Sequence, residues 1–227
     1  MGADDRGAVA LALGGPYEVT IVSQGCTPIG EPWTITGASG NVIETIAGHP
    51  AYRVQQHTVD ALPEGIRQRA RDNLFLGLAI DERREDWRRG DFLIRNFPAA
   101  DAEAGTLTVG ALPRPGQTLQ FQLRDREAAD EDLGVLLEAA RAGLGDRPSI
   151  GALLCACNGR GRGLFGAPDH DARAVADRLG PVPLAGCFCN GEVGPVGSRN
   201  FLHGYTASIG LIVPKDGTAP PPPRPRG

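Results

Sequence analysis

"SIGALLCACNG" (149–159) and "VPLAGCFCNG" (182–191) are the stretches on which the reading of this chain turns. Each is an apolar, β-prone run that ends in Cys-x-Cys-Asn-Gly, and "APDHDARAVADRLG" (167–180) between them reads as a helix. Strand, glycine loop, helix and strand in that order predict a βαβ-like unit whose two strands lie side by side. A longer helix precedes it, from about Asp125 to Leu144. Leu133, Leu136, Leu137, Ala140 and Leu144 fall at i, i+3, i+4, i+7 and i+11, a stripe that faces a core. Arg141 lies in its last turn, and Gly143 and Gly145 close it.

Further upstream the chain is punctuated by glycine and proline. "AVALAL" (8–13) and "YEVTIVS" (17–23) read as a hairpin about "GGP", and "SQGCTPIGEP" (23–32), with two glycines and two prolines, as a loop. "WTITGASGNVIETIAGHP" holds two short strands, and Pro50 to Asn73 is helical with a break at "LPEG" (62–65). "LFLGLAI" (74–80) is a buried strand and "DERREDWRRGDF" (81–92) a solvated connection. "FLIRNF" (92–97), "TLTVGAL" (106–112) and "TLQFQLRD" (118–125) are further strands, the last two joined by "PRPGQ", and "GYTASIGLIV" (204–213) is a closing strand. Strands outnumber helices, so the fold class is α+β: a largely antiparallel or mixed β-sheet with packed helices and a βαβ-like C-terminal unit.

With 227 residues, 41% of them hydrophobic, the chain suits one large domain or two small ones. A net charge of −4 argues against a nucleic-acid surface, which needs a basic face. No run approaches the ~18 apolar residues of a membrane span, and "MGADDRGAVALALGG" carries acids where a signal peptide has bases. The expected location is cytoplasmic, where five cysteines are thiols rather than disulfides. The tail "APPPPRPRG" (219–227) reads as a solvated polyproline II segment, with docking to an SH3-like partner as the lesser reading.

Alternation along a strand points Cys155 and Cys157 to one face, and Cys187 and Cys189 likewise. If the strands pair in register, four sulfurs converge and a tetrathiolate zinc site comes into question. Spacing argues against it. An extended Cys-x-Cys places its sulfurs about 6–7 Å apart along the strand, wider than zinc bonds of about 2.3 Å allow. The expectation is therefore no metal and no cofactor. Gly159, Gly161 and Gly163 allow a nest of backbone N–H groups, and Arg160 and Arg162 add forked cationic donors, a combination suited to a carboxylate or other small anion. The plainer reading is a tight strand-to-helix turn with solvated arginines. "CNGEVGPVGSRNFLHGYT" offers Asn190, Glu192, Arg199, Asn200 and His203 between glycine and proline turns, the composition of a pocket rim. Glu192 and His203 would serve as base and acid, and Cys157 as a nucleophile beside Arg160, but no triad spacing names a reaction.

"CNGRGRGLFG" (157–166), "PLAGCFCNGEVGPVG" (183–197) and "NFLHGYTASIGL" (200–211) resemble the C-terminal domain of the FIST family, named for F-box and intracellular signal transduction proteins. Cys157, Gly159, Arg160 and Gly161 match its C-x-G-R-G element. Cys187 stands where the second element usually has an apolar residue, and Val193 replaces the usual Ile. "VSQGCTPIGEPWTITGASGNVIETIAGHPA" (22–51) is similar to the seam between the family's two domains. The resemblance implies that residues 1–48 are the last part of a FIST N-terminal domain, 49–214 a FIST C-terminal domain, and 215–227 a Pro-rich disordered tail. It implies a small-ligand-binding sensory domain of intracellular signal transduction, not an enzyme, whose ligand is an amino acid or other small carboxylate. Under that reading Arg160 clamps the anion, with Cys157, Asn158, Gly159 and Gly161 beside it. Asn190, Gly191, Glu192, Asn200 and His203 give polar specificity, Glu192 pairing an ammonium, and Gln24 and Cys26 cap the pocket. Expected partners are the small molecule and a separate N-terminal half, a signalling protein or a second copy. The alternatives are a module that docks a partner segment and a Cys157-dependent hydrolase or transferase.

Overall fold

The computed structural model describes residues 17–18, 21–84, 86–196 and 199–214. The expected strand at 8–13 and the tail from 215 lie outside them. In order, the first elements are β1 (Tyr17–Glu18), β2 (Ile21–Ser23), β3 (Thr27–Ser39), β4 (Val42–Ile46) and β5 (His49–Pro50). Helices α1 (Ala51–Asp60) and α2 (Glu64–Ala70) follow, then β6 (Leu74–Ala79), β7 (Phe92–Arg95), β8 (Ala99–Asp101), β9 (Thr106–Thr108) and β10 (Thr118–Leu123). After α3 (Arg126–Leu144) come β11 (Gly151–Cys157), α4 (Arg162–Phe165), α5 (His170–Leu179) and β12 (Leu184–Cys189). The last are β13 (Glu192–Val196), β14 (Arg199–His203) and β15 (Ala207–Pro214).

These strands build an eight-stranded sheet in the order β7-β6-β10-β3-β4-β9-β8, with β5 on β4, and a five-stranded sheet in the order β1-β15-β11-β12, with β2 also on β15. The hairpin β13–β14 is a separate two-stranded sheet that packs against β2, β11 and β15 without joining their ladder. Pairing is antiparallel throughout the described residues except between β11 and β12. The fold is thus α+β with a largely antiparallel sheet system. The βαβ-like unit forms with its strands parallel and in register, Cys155 opposite Cys187 and Cys157 opposite Cys189.

The expected break at "LPEG" separates α1 from α2, and Asp125 caps α3, its carboxylate accepting from Ala128 N at 2.9 Å. Leu133 and Leu137 of its stripe are fully buried, packed with Ala152, Ile209 and Val175 between the five-stranded sheet and helices α3 and α5. A second core lies between the eight-stranded sheet and α1 and α2, around Ile35, Ile43, Leu76 and Phe121.

One expectation changes, and the structure adds two placements that the sequence left open. The loop read at 23–32 is strand from Thr27 onward. Gly30 and Pro32 sit at a bulge, where the register steps from Trp33↔Leu119 to Ile29↔Phe121, while Pro28 stays on the ladder opposite Gln122. Gly30 takes φ +63, and Gln120 Nε2 donates to its carbonyl at 2.7 Å. Pro32, which has no N–H, is tolerated because a bulge leaves its extra residues off the ladder. "TLTVGAL" and "TLQFQLRD" follow each other but do not pair: β9 joins β4 and β8, while β10 lies between β3 and β6. Lastly, the polar stretch 192–203 forms the hairpin β13–β14, and the closing strand β15 lies inside its sheet. The expected boundary at 48/49 falls within the eight-stranded sheet, which takes strands from both sides of it.

Candidate functional site

Ser23–Cys26 carries the chain from β2 in one sheet to β3 in the other. Asp132 of α3 fixes this crossing, accepting from Ser23 Oγ at 2.7 Å and Gly25 N at 2.8 Å. Gln24 fixes it from the other side. Its Nε2 donates to Phe92 O at 2.7 Å and its Oε1 accepts from Ile94 N at 3.2 Å, so the amide is occupied in tying the crossing to β7. A cavity of about 160 Å³ opens here, lined by Gln24, Cys26, Gln122 and Asp132 among others. Burial pushes the Cys26 thiol up to about 12, against the opposing pull of Arg124.

Two buried guanidinium groups border the crossing, and their situations differ. Arg160 Nε and Nη2 donate to the Asp171 carboxylate at 2.7 and 2.8 Å, at the N-terminal turn of α5. Burial alone would raise Asp171, but the forked pair with Arg160 outweighs it and holds the carboxyl below its usual range. Phe165 stacks under this pair, its ring centroid 5.2 Å from the Arg160 guanidinium carbon. Arg160 Nη1 is left without a partner, 2.9 Å from where a Cβ on Gly25 would stand.

Arg124, at the end of β10, has no such carboxylate among the described residues. Its Nη2 donates to Gly159 O at 3.0 Å, and its guanidinium lies 4.9 Å from the Tyr205 ring centroid and 5.8 Å from that of Phe75. Burial loosens its hold on the proton, yet a guanidinium stays charged in proteins. Arg124 Nε and Gln122 Nε2 are both buried without partners. Tyr205 is held at φ +68, a left-handed conformation that a tyrosine seldom adopts and that sets its ring against Phe75 and Arg124.

Hydrogen bonds lead from these cations to an acid. Gly159 N donates to Cys157 Sγ at 3.4 Å, and Cys157 N to Thr206 O at 2.9 Å. Thr206 N and Oγ1 donate to Glu192 Oε2 at 3.3 and 2.8 Å, leaving the buried Glu192 Oε1 unpartnered. His203 is the cross-strand neighbour of Glu192. Its Nε2 donates to Gly194 O at 3.0 Å, burial lowers its pKa, and its Nδ1 is unpartnered.

Of the residues read from the sequence, Gln24, Cys26, Cys157, Gly159 and Arg160 meet at the crossing between the sheets, with Glu192 and His203 reached through Thr206. Asn158 Nδ2 donates to Asn190 Oδ1 at 2.8 Å, tying the ends of β11 and β12 at the surface. Gly161 is the N-cap of α4, Gly191 lies in the turn after β12, and Asn200 is exposed on β14. Arg124, Gln122, Tyr205 and Asp171 escaped the sequence reading. "LRD" at a strand end looks like a solvated cap, and only the pairing of β10 between β3 and β6 buries it.

The cysteines also part company. Cys155, Cys187 and Cys189 bring their sulfurs within 4.8 Å of one another, and Cys187 Sγ lies 3.7 Å from Cys189 Sγ. The spacing argument against a metal is thereby corrected: 6–7 Å describes the backbone, while each sulfur swings on its own χ1 toward its neighbour. Cys157 turns away to its bond with Gly159 N. Burial and the adjacent thiols push Cys189 up to about 12.

The FIST C domain model matches residues 51–195 and the FIST N domain model residues 2–49. An uncharacterised protein of Mycobacterium tuberculosis is 44% identical over 207 residues, covering 91% of this chain and 54% of that protein. A relative in Mycobacterium bovis is 43% identical over 91% of this chain and 53% of its own length. An F-box/LRR-repeat protein of Arabidopsis thaliana is 29% identical over 122 residues, covering 47% of this chain and 23% of that protein. The chain thus spans about half the length of the curated mycobacterial relatives it matches. No helix among the described residues is long and apolar enough to cross a membrane.

Proposed function

The chain belongs to the FIST family, and from that premise we propose that it is a sensory domain that binds a small carboxylate, an α-amino acid in particular, at the crossing between its two sheets. One observation carries the reading: Arg124 is a buried cation with no counter-ion among the described residues and an unpartnered Nε. An uncompensated buried charge is costly, and a bound carboxylate would neutralise it and accept the free N–H groups. Arg160 Nη1 and Gln122 Nε2 are further unpartnered donors in this region. Arg160 is the weaker clamp, since Asp171 already neutralises it. The free Glu192 Oε1 suits an ammonium group, which is why an amino acid fits better than a simple acid.

The test is thermal unfolding of the chain with a panel of α-amino acids and short-chain carboxylates. Ligand at 100 times Kd should stabilise by about 2.7 kcal/mol. Arg124→Gln should lose the response to every carboxylate, and Glu192→Gln the response to amino acids alone. A panel without effect, or one whose effect survives Arg124→Gln, would sink the reading. Val193 and Leu202, cross-strand neighbours that are 69% and 65% exposed on the hairpin, favour docking of a partner segment as a second reading. It requires no response to small molecules.

A further inference from the structure

We propose that Cys155, Cys187 and Cys189 form a three-thiolate site for a thiophilic d10 metal ion, copper(I) or zinc(II), on the face of β11 and β12 opposite α3 and α5. The face assignment follows from register. Ala152, Leu154 and Leu184 pack with the helices, so the alternate residues Cys155, Cys187 and Cys189 point the other way. Parallel pairing sets Cys155 beside Cys187, and Cys189 follows two residues on along the same strand.

The sulfur spacing is that of a ligand set. Two sulfurs bound tetrahedrally at about 2.3 Å lie about 3.8 Å apart, and Cys187 and Cys189 are already at 3.7 Å. The third needs to close by about an ångström at most to bring every separation from within 4.8 Å to that value. Rotation about χ1 supplies such a shift without moving backbone. A disulfide between Cys187 and Cys189 is less well served, because neighbours two apart on an extended strand set their Cα atoms about 6.5 Å apart, near the upper limit for that bond.

The donor set also selects the ion. Among the described residues only sulfur is offered, with no imidazole or carboxylate in the cluster, so hard ions such as magnesium, calcium and manganese are disfavoured and soft ions preferred. Copper(I) is satisfied by three thiolates, while zinc(II) adds a water in its fourth position. Cys187 is exposed and its two companions half-buried, so an ion can enter from solvent. Binding converts three thiols to thiolates and releases three protons to solvent, with no electron transferred. The site is independent of the proposed carboxylate pocket, because Cys157 takes no part in it.

The experiment uses the reduced chain under argon, titrated with cobalt(II) as an optical stand-in for zinc and with copper(I) against a competing chelator. The expected result is one ion per chain by native mass spectrometry, with a thiolate-to-cobalt charge-transfer band. Cys155→Ser, Cys187→Ser and Cys189→Ser should each weaken binding by about 100-fold or more, since even outer-shell changes cost up to that. Cys157→Ser and Cys26→Ser should bind as the wild type does. Alkylation of the wild-type chain, mapped by peptide mass, keeps the test open if a serine variant fails to fold. The metal-loaded protein should protect Cys155, Cys187 and Cys189 and the metal-free protein should not. Absence of binding, binding that survives removal of all three thiols, alkylation indifferent to metal, or a Cys187–Cys189 disulfide that persists in reductant would each overturn the proposal.

Discussion

Arg160 and Asp171 show how one residue can carry the recognisable motif and still serve the fold first. Their side chains are 0% and 6% exposed; removing Asp171 leaves Arg160 a buried, unpaired charge, and removing Arg160 leaves the buried Asp171 only His170 Nδ1 at 3.1 Å. Arg160→Ala is therefore expected to cost about 3–5 kcal/mol, read as a lower urea midpoint at unchanged slope. That is why Arg124→Gln, and not Arg160→Ala, is the variant that probes the ligand. The pair also sets an acid limit. Asp171 has a depressed folded pKa, so its contribution is fully present above the ordinary carboxylate value of about 4 and is lost as pH falls through the lower folded value. Stability should fall more steeply between about pH 5 and pH 2 in the wild type than in Arg160→Met/Asp171→Leu. Equal slopes in acid urea titrations would contradict this. From sequence, "NGRGRG" announces an exposed cationic loop. Nothing local reveals that Asp171, eleven residues on, closes over the arginine.

Among the elements, the parallel pair β11–β12 depends on a close backbone approach. A Cβ on Gly186 would stand 1.9 Å from Leu154 O, so Gly186→Ala forces the two strands apart. Hydrogen exchange should then show loss of protection across Leu184–Cys189, with cobalt(II) binding lost alongside, whereas Gly163→Ala, where a Cβ meets nothing, should leave both unchanged. Helix α3 was legible because a five-residue stripe at helical spacing is redundant: several positions report the same face. Leu137→Ala should cost about 2–5 kcal/mol, since that side chain is fully buried beneath α5 and the sheet. The hairpin β13–β14 was not legible. "EVGPV" and "RNFLH" mix glycine, proline and charge, and their pairing rests on contact with β2, β11 and β15. The bulged strand β3 was missed for a related reason, as Gly30 and Pro32 are punctuation in most contexts and a bulge in this one.

For the whole molecule, the decisive feature is that two sheets with separate cores are joined at Ser23–Cys26, beside which the unpartnered donors lie. Asp132 is the joint's acceptor from α3. Asp132→Ala should raise exchange at Ser23–Cys26 and weaken stabilisation by carboxylates while both cores stay folded, which far- and near-ultraviolet circular dichroism would check. Loss of both cores together would instead show that the crossing is needed for either to fold.

Local pattern by itself determined the α+β class, every described helix but the short α4, the βαβ-like unit and the family, because each rests on residues near one another in the chain: periodicity, glycine breaks, and the C-x-G-R-G and P-L-x-G elements. Tertiary structure alone decided which arginine has a counter-ion, which strands share a sheet, and which three of five cysteines face one another. Those outcomes depend on pairs more than ten, and often more than thirty, residues apart. Desolvation, strand register and side-chain rotation act between such pairs only after the sheets have formed, so no spacing along the chain encodes them.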